Sequence, residues 1–379
     1  MALKSYKAIR WVLPILATLA LLFLAGCDYT SKQSALDPKG PLAQNQYDLF
    51  MLTVYITGIL WVLVGGALIY TVIRFRARKT DDPNTLPHQS HGHAMIEVGL
   101  ILVSTVVLVI LAIPTFKGIK LIHEMPAKYE KDAVIVNVTG LQWWWRFEYP
   151  ELGIETANEL IIPAGRAVQL NLRSDDVIHS FWLPKLSGKM DLIPGQQNKL
   201  WILADEPGYF YGQCAEFCGD SHAYMLFRSI AMNAADYEAW VARQKAGALV
   251  PFNKEKPAKI DLTSLNNLEV INKGRDLFNT HCSRCHRVGE EGGVAAPNLS
   301  HIAGRSTIAA GWMENTPENL HRWILTPDAV KPGNNMWNGM PLGKLADGTA
   351  DRSGMPGLRT ANLTSEQVDA IVAYLQLLK

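Results

Sequence analysis

Two long uncharged stretches constrain this chain more than any other feature of its sequence. Leu49 to Ile73 contains no Asp, Glu, Lys or Arg, and neither does Val98 to Phe116. At about 1.5 Å per residue, each is long enough for a helix to cross a hydrocarbon core of about 30 Å. The competing fate, two helices buried inside a water-soluble domain, would need a much larger apolar shell around them. Between the two runs stand Arg74, Arg76, Arg78 and Lys79. Positive charge collects on the cytoplasmic side of a membrane, which makes this connection cytoplasmic and sends both ends of the hairpin to the other face. The expected helices span about 47–73 and 95–117, within a hairpin of residues 45–118. Everything after residue 117 is then exported.

The N-terminus agrees. Lys4, Lys7 and Arg10 precede the apolar run Trp11–Gly26, which is the layout of a signal sequence over residues 1–26. It closes on Leu24-Ala25-Gly26-Cys27, and small residues before a cysteine resemble the cleavage and lipid-attachment site of bacterial lipoproteins. Lipidation at Cys27 is the expectation. An uncleaved first helix with an incidental cysteine is the plainer alternative.

The exported part divides in two. Residues 130–245 alternate apolar and polar side chains, as in Val168-Gln-Leu-Asn-Leu172, and are punctuated by Pro163-Ala-Gly165, Pro194-Gly195 and Pro207-Gly208. Short strands at such spacing predict an all-β sandwich or Greek-key barrel. Residues 246–265 read as a linker. Residues 266–379 read as helical. Thr364 and Gln367 have capping-box spacing, and Val368, Ile371, Val372 and Leu375 share one helical face. A formal net charge of +1 argues against a nucleic-acid partner.

The chemistry lies in the five cysteines. Residues 214–225 read Cys-Ala-Glu-Phe-Cys-Gly-Asp-Ser-His-Ala-Tyr-Met. Cys214, Cys218, His222 and Met225 form a soft ligand set that suits copper or zinc and suits magnesium or calcium poorly. A disulfide between the cysteines is one alternative, but three intervening residues on a tight loop make it awkward and leave His222 and Met225 unexplained. Structural zinc is another, although it has no use for the thioether. His179, which follows the alternating strand, is the candidate second imidazole. Further on, Cys282-Ser-Arg-Cys285-His286 is a C-x-x-C-H sequence, the attachment motif of a c-type haem, with a zinc or redox pair as the alternative. A methionine opposite His286 would complete the iron. Met336, Met340 and Met355 are the candidates.

With these residues in view, the chain resembles two families. The 214–225 segment, His179-Ser-Phe, Lys189-Met-Asp-Leu-Ile-Pro-Gly195 and the aromatic run Gln142-Trp-Trp-Trp-Arg-Phe-Glu-Tyr149 resemble subunit II of cytochrome c oxidase over residues 45–235. The resemblance implies a cupredoxin-like barrel holding binuclear copper, CuA. Cys214 and Cys218 would bridge the two metals, His179 and His222 would each bind one, and Met225 and the Glu216 carbonyl would be weak outer ligands. It also implies a magnesium ligand in the Glu216 side chain, shared with subunit I. Trp143 matches an exposed tryptophan through which electrons enter, and Glu97 a carboxylate at the mouth of a proton path. Here the chain departs from the pattern: Gly99-Leu100-Ile101 stands where a Trp-Thr pair is usual.

Residues 268–379 resemble a class I cytochrome c through Gly274-Arg-Asp-Leu-Phe278, the haem motif and the last helix. The segment Leu325-Thr-Pro327 to Lys331-Pro-Gly-Asn-Asn-Met336 matches that family's approach to its axial methionine. Met355-Pro-Gly-Leu has instead the short spacing to the last helix. The two signals conflict because 337–354 reads as an insertion, and Met336 is favoured.

The joint expectation is a multidomain membrane protein: a transmembrane hairpin, a β barrel and an all-α cytochrome c domain. It would be the electron-input subunit of a bacterial cytochrome c oxidase, in the cell membrane with its metal domains on the periplasmic side. Its partners would be subunits I and III, and its donor a cytochrome c or another periplasmic or membrane carrier. Oxygen would be reduced, with proton translocation, on subunit I. No general base, nucleophile or phosphate loop stands out, so the chemistry is that of the cofactors. A quinol oxidase subunit would lack the copper cysteines, and a nitrous oxide reductase would lack the hairpin and haem. A free-standing membrane cytochrome with a structural metal remains as the binding-module alternative.

Overall fold

The computed structural model describes residues 30–77, 92–246, 268–340 and 356–379, with 14, 18, 343–344 and 350–351 besides. Cys27, Met355, Arg78, Lys79 and nearly all of the linker lie outside the described residues.

Helix α1 runs Pro41–Arg74 and α2 runs Ala94–His123. Both are long and apolar enough to cross a membrane. Side chains such as Trp61, Val64, Leu100 and Leu108 are exposed along them. That is costly in water but suits hydrocarbon, where a helix satisfies its own backbone. The helices exceed the expected 47–73 and 95–117 because the start of α1 and the end of α2 continue into the β domain. Leu42 at the start of α1 is fully buried. At the end of α2 the Leu121 carbonyl accepts a hydrogen bond from Trp201 Nε1 at 2.8 Å.

Ten strands follow. They are β1 Val134–Leu141, β2 Trp144–Tyr149, β3 Ile154–Ala157, β4 Glu159–Pro163, β5 Val168–Ser174, β6 His179–Trp182, β7 Lys189–Leu192, β8 Asn198–Ile202, β9 Gly208–Cys214 and β10 Leu226–Met232. They form two five-stranded sheets, β3-β2-β1-β5-β8 and β4-β10-β9-β6-β7. The crossovers put β1 parallel to β5 and β4 parallel to β10, with the other pairs antiparallel. Alternation along β1 and β5 turns Val136, Val138, Leu170 and Leu172 into the space between the sheets. Trp145 lies at its centre, edge-on to Phe181, Phe227 and the His179 ring. This is a cupredoxin-like barrel. The sequence reading of 130–245 as β structure missed helix α3, Ala234–Lys245, whose start is capped by the Asn233 side chain. It packs Tyr237, Trp240 and Val241 into the same core.

The C-terminal domain has three principal helices: α4 Leu268–His281, α5 Pro317–Leu325 and α6 Ser365–Leu375. The capping box of Thr364 and Gln367 forms at the start of α6. Val368, Ile371, Val372 and Leu375 are buried as their spacing requires. Gly274 lets α4 touch α6 backbone to backbone: a Cβ there would lie 1.9 Å from the Ala370 carbonyl oxygen. Gly274→Val should therefore cost about 3 kcal/mol, the upper end of ordinary overpacking. Denaturant unfolding of the full chain should report it as a lowered midpoint for the C-terminal domain, with the β-domain transition unmoved.

Candidate metal and haem centres

The copper-type residues converge on one end of the barrel. Cys214 closes β9, His179 opens the neighbouring β6, and the loop after Cys214 turns back through Cys218 and His222 to Met225. The loop is pinned at both ends: Cys214 N donates to the Met225 carbonyl, and Ala215 N donates to Ser180 O. Gly219, at φ +112°, supplies the left-handed turn just after Cys218. The two sulfurs lie 3.8 Å apart, unbonded. Cys214 Sγ is 3.9 Å from His179 Nδ1, and Cys218 Sγ is 3.5 Å from His222 Nδ1. Met225 Sδ is 3.8 Å from Cys218 Sγ, and the Glu216 carbonyl is 3.2 Å from Cys214 Sγ. His179, both cysteines and Met225 are buried, His222 is half-buried, and the Glu216 side chain is exposed. The donor set the sequence nominated is thus one cluster, soft and closed.

Residues outside that set orient it. Asp176 Oδ1 accepts a hydrogen bond from His179 Nε2 at 2.8 Å, which leaves Nδ1 facing the sulfurs. Burial opposes the charge on that imidazole, but Asp176 and Cys214 outweigh it, and its pKa is raised. Gly140 makes room for the ring, since a Cβ there would lie 2.8 Å from His179 Cδ2. The cysteines share a proton unequally. The contact between the two sulfurs holds Cys214 well below the usual thiol range and pushes Cys218 up. Asp176, three residues before His179, was readable as its partner; nothing in the sequence singled out Gly140.

In the C-terminal domain a cavity of about 1340 Å³, open mouth included, is lined by Cys282, Cys285, His286, Met336 and Met340. His286 Nδ1 donates to the Pro297 carbonyl at 2.8 Å, so Nε2 keeps its lone pair. Burial lowers the pKa of this imidazole and keeps it neutral. Burial pushes the Cys282 thiol up to about 12 and raises Cys285 as well. Met336 also packs against the helical core.

The cavity does not end within its own domain. Gln142, Trp143 and Trp144 of the β domain line it as well. Trp143 Nε1 donates to the Cys218 carbonyl at 3.0 Å, and Gln142 Nε2 to the same oxygen at 2.8 Å. Trp143 is only 7% exposed, which corrects the exposed position implied by the resemblance. The chain's own loop covers it. Lys331 Nζ donates to the Trp143 carbonyl at 2.7 Å, Asn335 Nδ2 to Gln142 O at 3.0 Å, and Ser221 Oγ to Pro332 O at 2.6 Å. Glu97 lies elsewhere, exposed in the first turn of α2.

Three family profiles match the chain. "Cytochrome C oxidase subunit II, transmembrane domain" matches residues 30–117. "Cytochrome C oxidase subunit II, periplasmic domain" matches residues 152–232, and "Cytochrome c" matches residues 271–379. Cytochrome c oxidase subunit 2 of Alkalihalophilus pseudofirmus is 34% identical over 380 residues, covering 100% of this chain and 99% of that one. The subunit 2 of Bacillus sp. (strain PS3) is 35% identical over 385 residues, covering 98% of each. Quinol oxidase subunit 2 of Bacillus cereus is 36% identical over 239 residues, covering 62% of this chain and 80% of its own. Fold and site together define a membrane-anchored electron-transfer subunit with a copper-type β domain and a cytochrome c domain. The chain belongs to the cytochrome c oxidase subunit 2 family and is a subunit of a haem–copper oxidase. The family implies copper in the β domain and haem in the cytochrome c domain, and partnership with subunit I and a cytochrome donor. The soft buried donor set and the thiol- and imidazole-lined cavity fit those groups.

Lys331 offers a test of how tightly the covering loop is seated. Burial pulls its ammonium pKa down to about 7, against the opposing pull of Cys218. Unfolded, it would return to its ordinary 10.5. Between those values the unfolded chain holds a proton that the folded chain does not. Stability should therefore rise with pH across that window, by at most about 1.4 kcal/mol per pH unit from this residue. Lys331→Met should flatten the rise, read as the pH dependence of the C-terminal domain's denaturant midpoint.

Proposed function

We propose that the chain is the electron-input subunit of a bacterial cytochrome c oxidase. It would take electrons from a cytochrome c or another periplasmic or membrane donor. They would pass through a covalent haem c and binuclear CuA to haem a of subunit I, for oxygen reduction coupled to proton translocation. One observation carries this reading: Trp143 lines the haem-type cavity and hydrogen-bonds the carbonyl of Cys218. A single side chain thus touches both centres.

Cys214 and Cys218 would bridge two coppers, with His179 and His222 as one imidazole each and Met225 and the Glu216 carbonyl as weak outer ligands. Cys282 and Cys285 would carry the haem thioethers, His286 Nε2 would be the proximal ligand, and Met336 the distal one, with Met355 as the alternative. These groups, when bound, supply reversible one-electron exchange. The protein's part is to hold them. Asp176 and Pro297 fix the imidazole tautomers. The buried thiols and thioether exclude water, so the surroundings change little when the charge changes. The exposed Glu216 carboxylate is free to face subunit I, where it would share a magnesium ion. Glu97 would stand at the mouth of a proton path, and Cys27 would carry lipid. Subunit III would complete the complex, with both metal domains on the periplasmic side of the inner membrane.

Metal analysis and visible spectra of both redox states test the assignment. Cys218→Ser should lose the copper and its thiolate bands while keeping a full complement of haem, and His286→Ala should do the reverse. Unchanged copper in Cys218→Ser would contradict the proposed ligand set. Met336→Ala should abolish the sulfur-to-iron band of the oxidised haem; its persistence would move the distal role to Met355.

A further inference from the structure

Beside the haem-type cavity, which Thr307 and Ala310 help to line, the two domains meet on a second patch that the electron-input reading does not use. At its middle is Glu159, the first residue of β4, only 5% exposed. Its Oε1 accepts four hydrogen bonds from one corner of the C-terminal domain. Ser306 N lies at 2.9 Å and Ser306 Oγ at 2.6 Å, Thr307 N at 2.8 Å and Thr307 Oγ1 at 3.0 Å. The same corner is held from β10: Leu226 N donates to Ala310 O at 3.1 Å, and the Arg228 guanidinium donates to Gly311 O. Nearby, Glu155 Oε2 pairs with Arg287 at 2.8 Å, and Arg287 directly follows His286 in the chain.

A buried carboxylate without partners is strongly unfavourable, and here the donors that satisfy it come from the other domain. The four donors are neutral and preset by one turn of backbone, so the contact fixes register as well as proximity. The cavity that Thr307 and Ala310 line is walled on the β-domain side by Trp143. A rotation of the C-terminal domain about that wall would stretch the Glu159 contacts.

We infer that Glu159, with Glu155, is a positioning residue for electron transfer within the chain. It seats the 306–311 corner so that the haem-type cavity stays against Trp143. This rests on the electron-input reading. In the step concerned, one electron leaves the centre held by His286, which is oxidised by one. It arrives at the centre held by Cys214 and Cys218, which is reduced by one. No proton or bond is transferred, and an external cytochrome restores the electron.

The test uses the intact oxidase complex, loaded with both groups, with two readouts. One is amide hydrogen exchange at Ser306 and Thr307. The other is the rate at which an electron delivered by a photoreductant to the C-terminal domain equilibrates with the copper absorption. Glu159→Ala should speed the exchange and slow equilibration by about tenfold or more, the scale expected for losing a buried charge-assisted contact, with copper and haem content unchanged. Glu159→Gln keeps one acceptor oxygen and should fall between. Ser306→Ala with Thr307→Val removes the hydroxyls from the other side and should slow transfer without touching the β domain. Glu155→Arg and Arg287→Glu should each slow it, and the double exchange should restore most of the loss. An unchanged rate in loaded Glu159→Ala, or a double exchange no faster than the singles, would overturn the inference. Absence of transfer in the unsubstituted complex would overturn the electron-input reading and this inference with it.

Discussion

The indole of Trp143 donating to the carbonyl of Cys218 is the contact on which the arrangement turns. It ties the strand-rich face that carries the aromatic run to the loop that carries the sulfurs. Its other face closes a cavity belonging to a different domain. Move Trp143, and both the copper loop and the cavity mouth lose a wall. The residues around it are arranged accordingly: Gly219 passes beneath the ring, Gln142 doubles the hydrogen bond to Cys218, and Lys331 and Asn335 close over the backbone. A tryptophan in such a place is shielded from other proteins, so electrons from outside would have to arrive by way of the C-terminal domain.

The rest of the fold serves to hold that junction still. The barrel core places Trp145 edge-on to His179, so the imidazole is fixed by packing as well as by Asp176. The membrane helices enter the barrel through Leu42 and through the Leu121–Trp201 contact, so the metal end is referenced to the bilayer. The C-terminal domain is braced twice, at Trp143 and at Glu159. Two separated contacts suppress rotation in a way that one cannot. A tether alone would raise the local concentration of one domain at the other; two contacts also set orientation.

Much of this was legible in the sequence, for identifiable reasons. The hairpin is visible because charge is absent over two long spans. The haem motif and the sulfur-rich loop are local, so spacing alone reports them. The capping box of α6 is local too. What was not legible is long-range. Tyr237, Trp240 and Val241 have the helical spacing of α3, but one short apolar stripe at the end of a strand-rich segment does not stand out as a helix. Glu159 meets Ser306 and Thr307 from far along the chain, and no local pattern marks a carboxylate whose donors lie in another domain. Trp143 looked exposed because its cover, Lys331 to Asn335, read as no more than an approach to Met336. Gly140 is a residue whose importance is space, which a sequence does not display.

On the proposed route, electrons enter through the C-terminal domain and leave through the β domain of the same chain. The most direct measurement compares oxygen uptake, driven by the physiological donor, in the intact complex and in one whose chain ends at residue 245. The shortened complex should keep its copper and its subunit I haem yet oxidise the donor far more slowly, because Trp143 alone must then receive a diffusing partner. Equal turnover in the two complexes would contradict it.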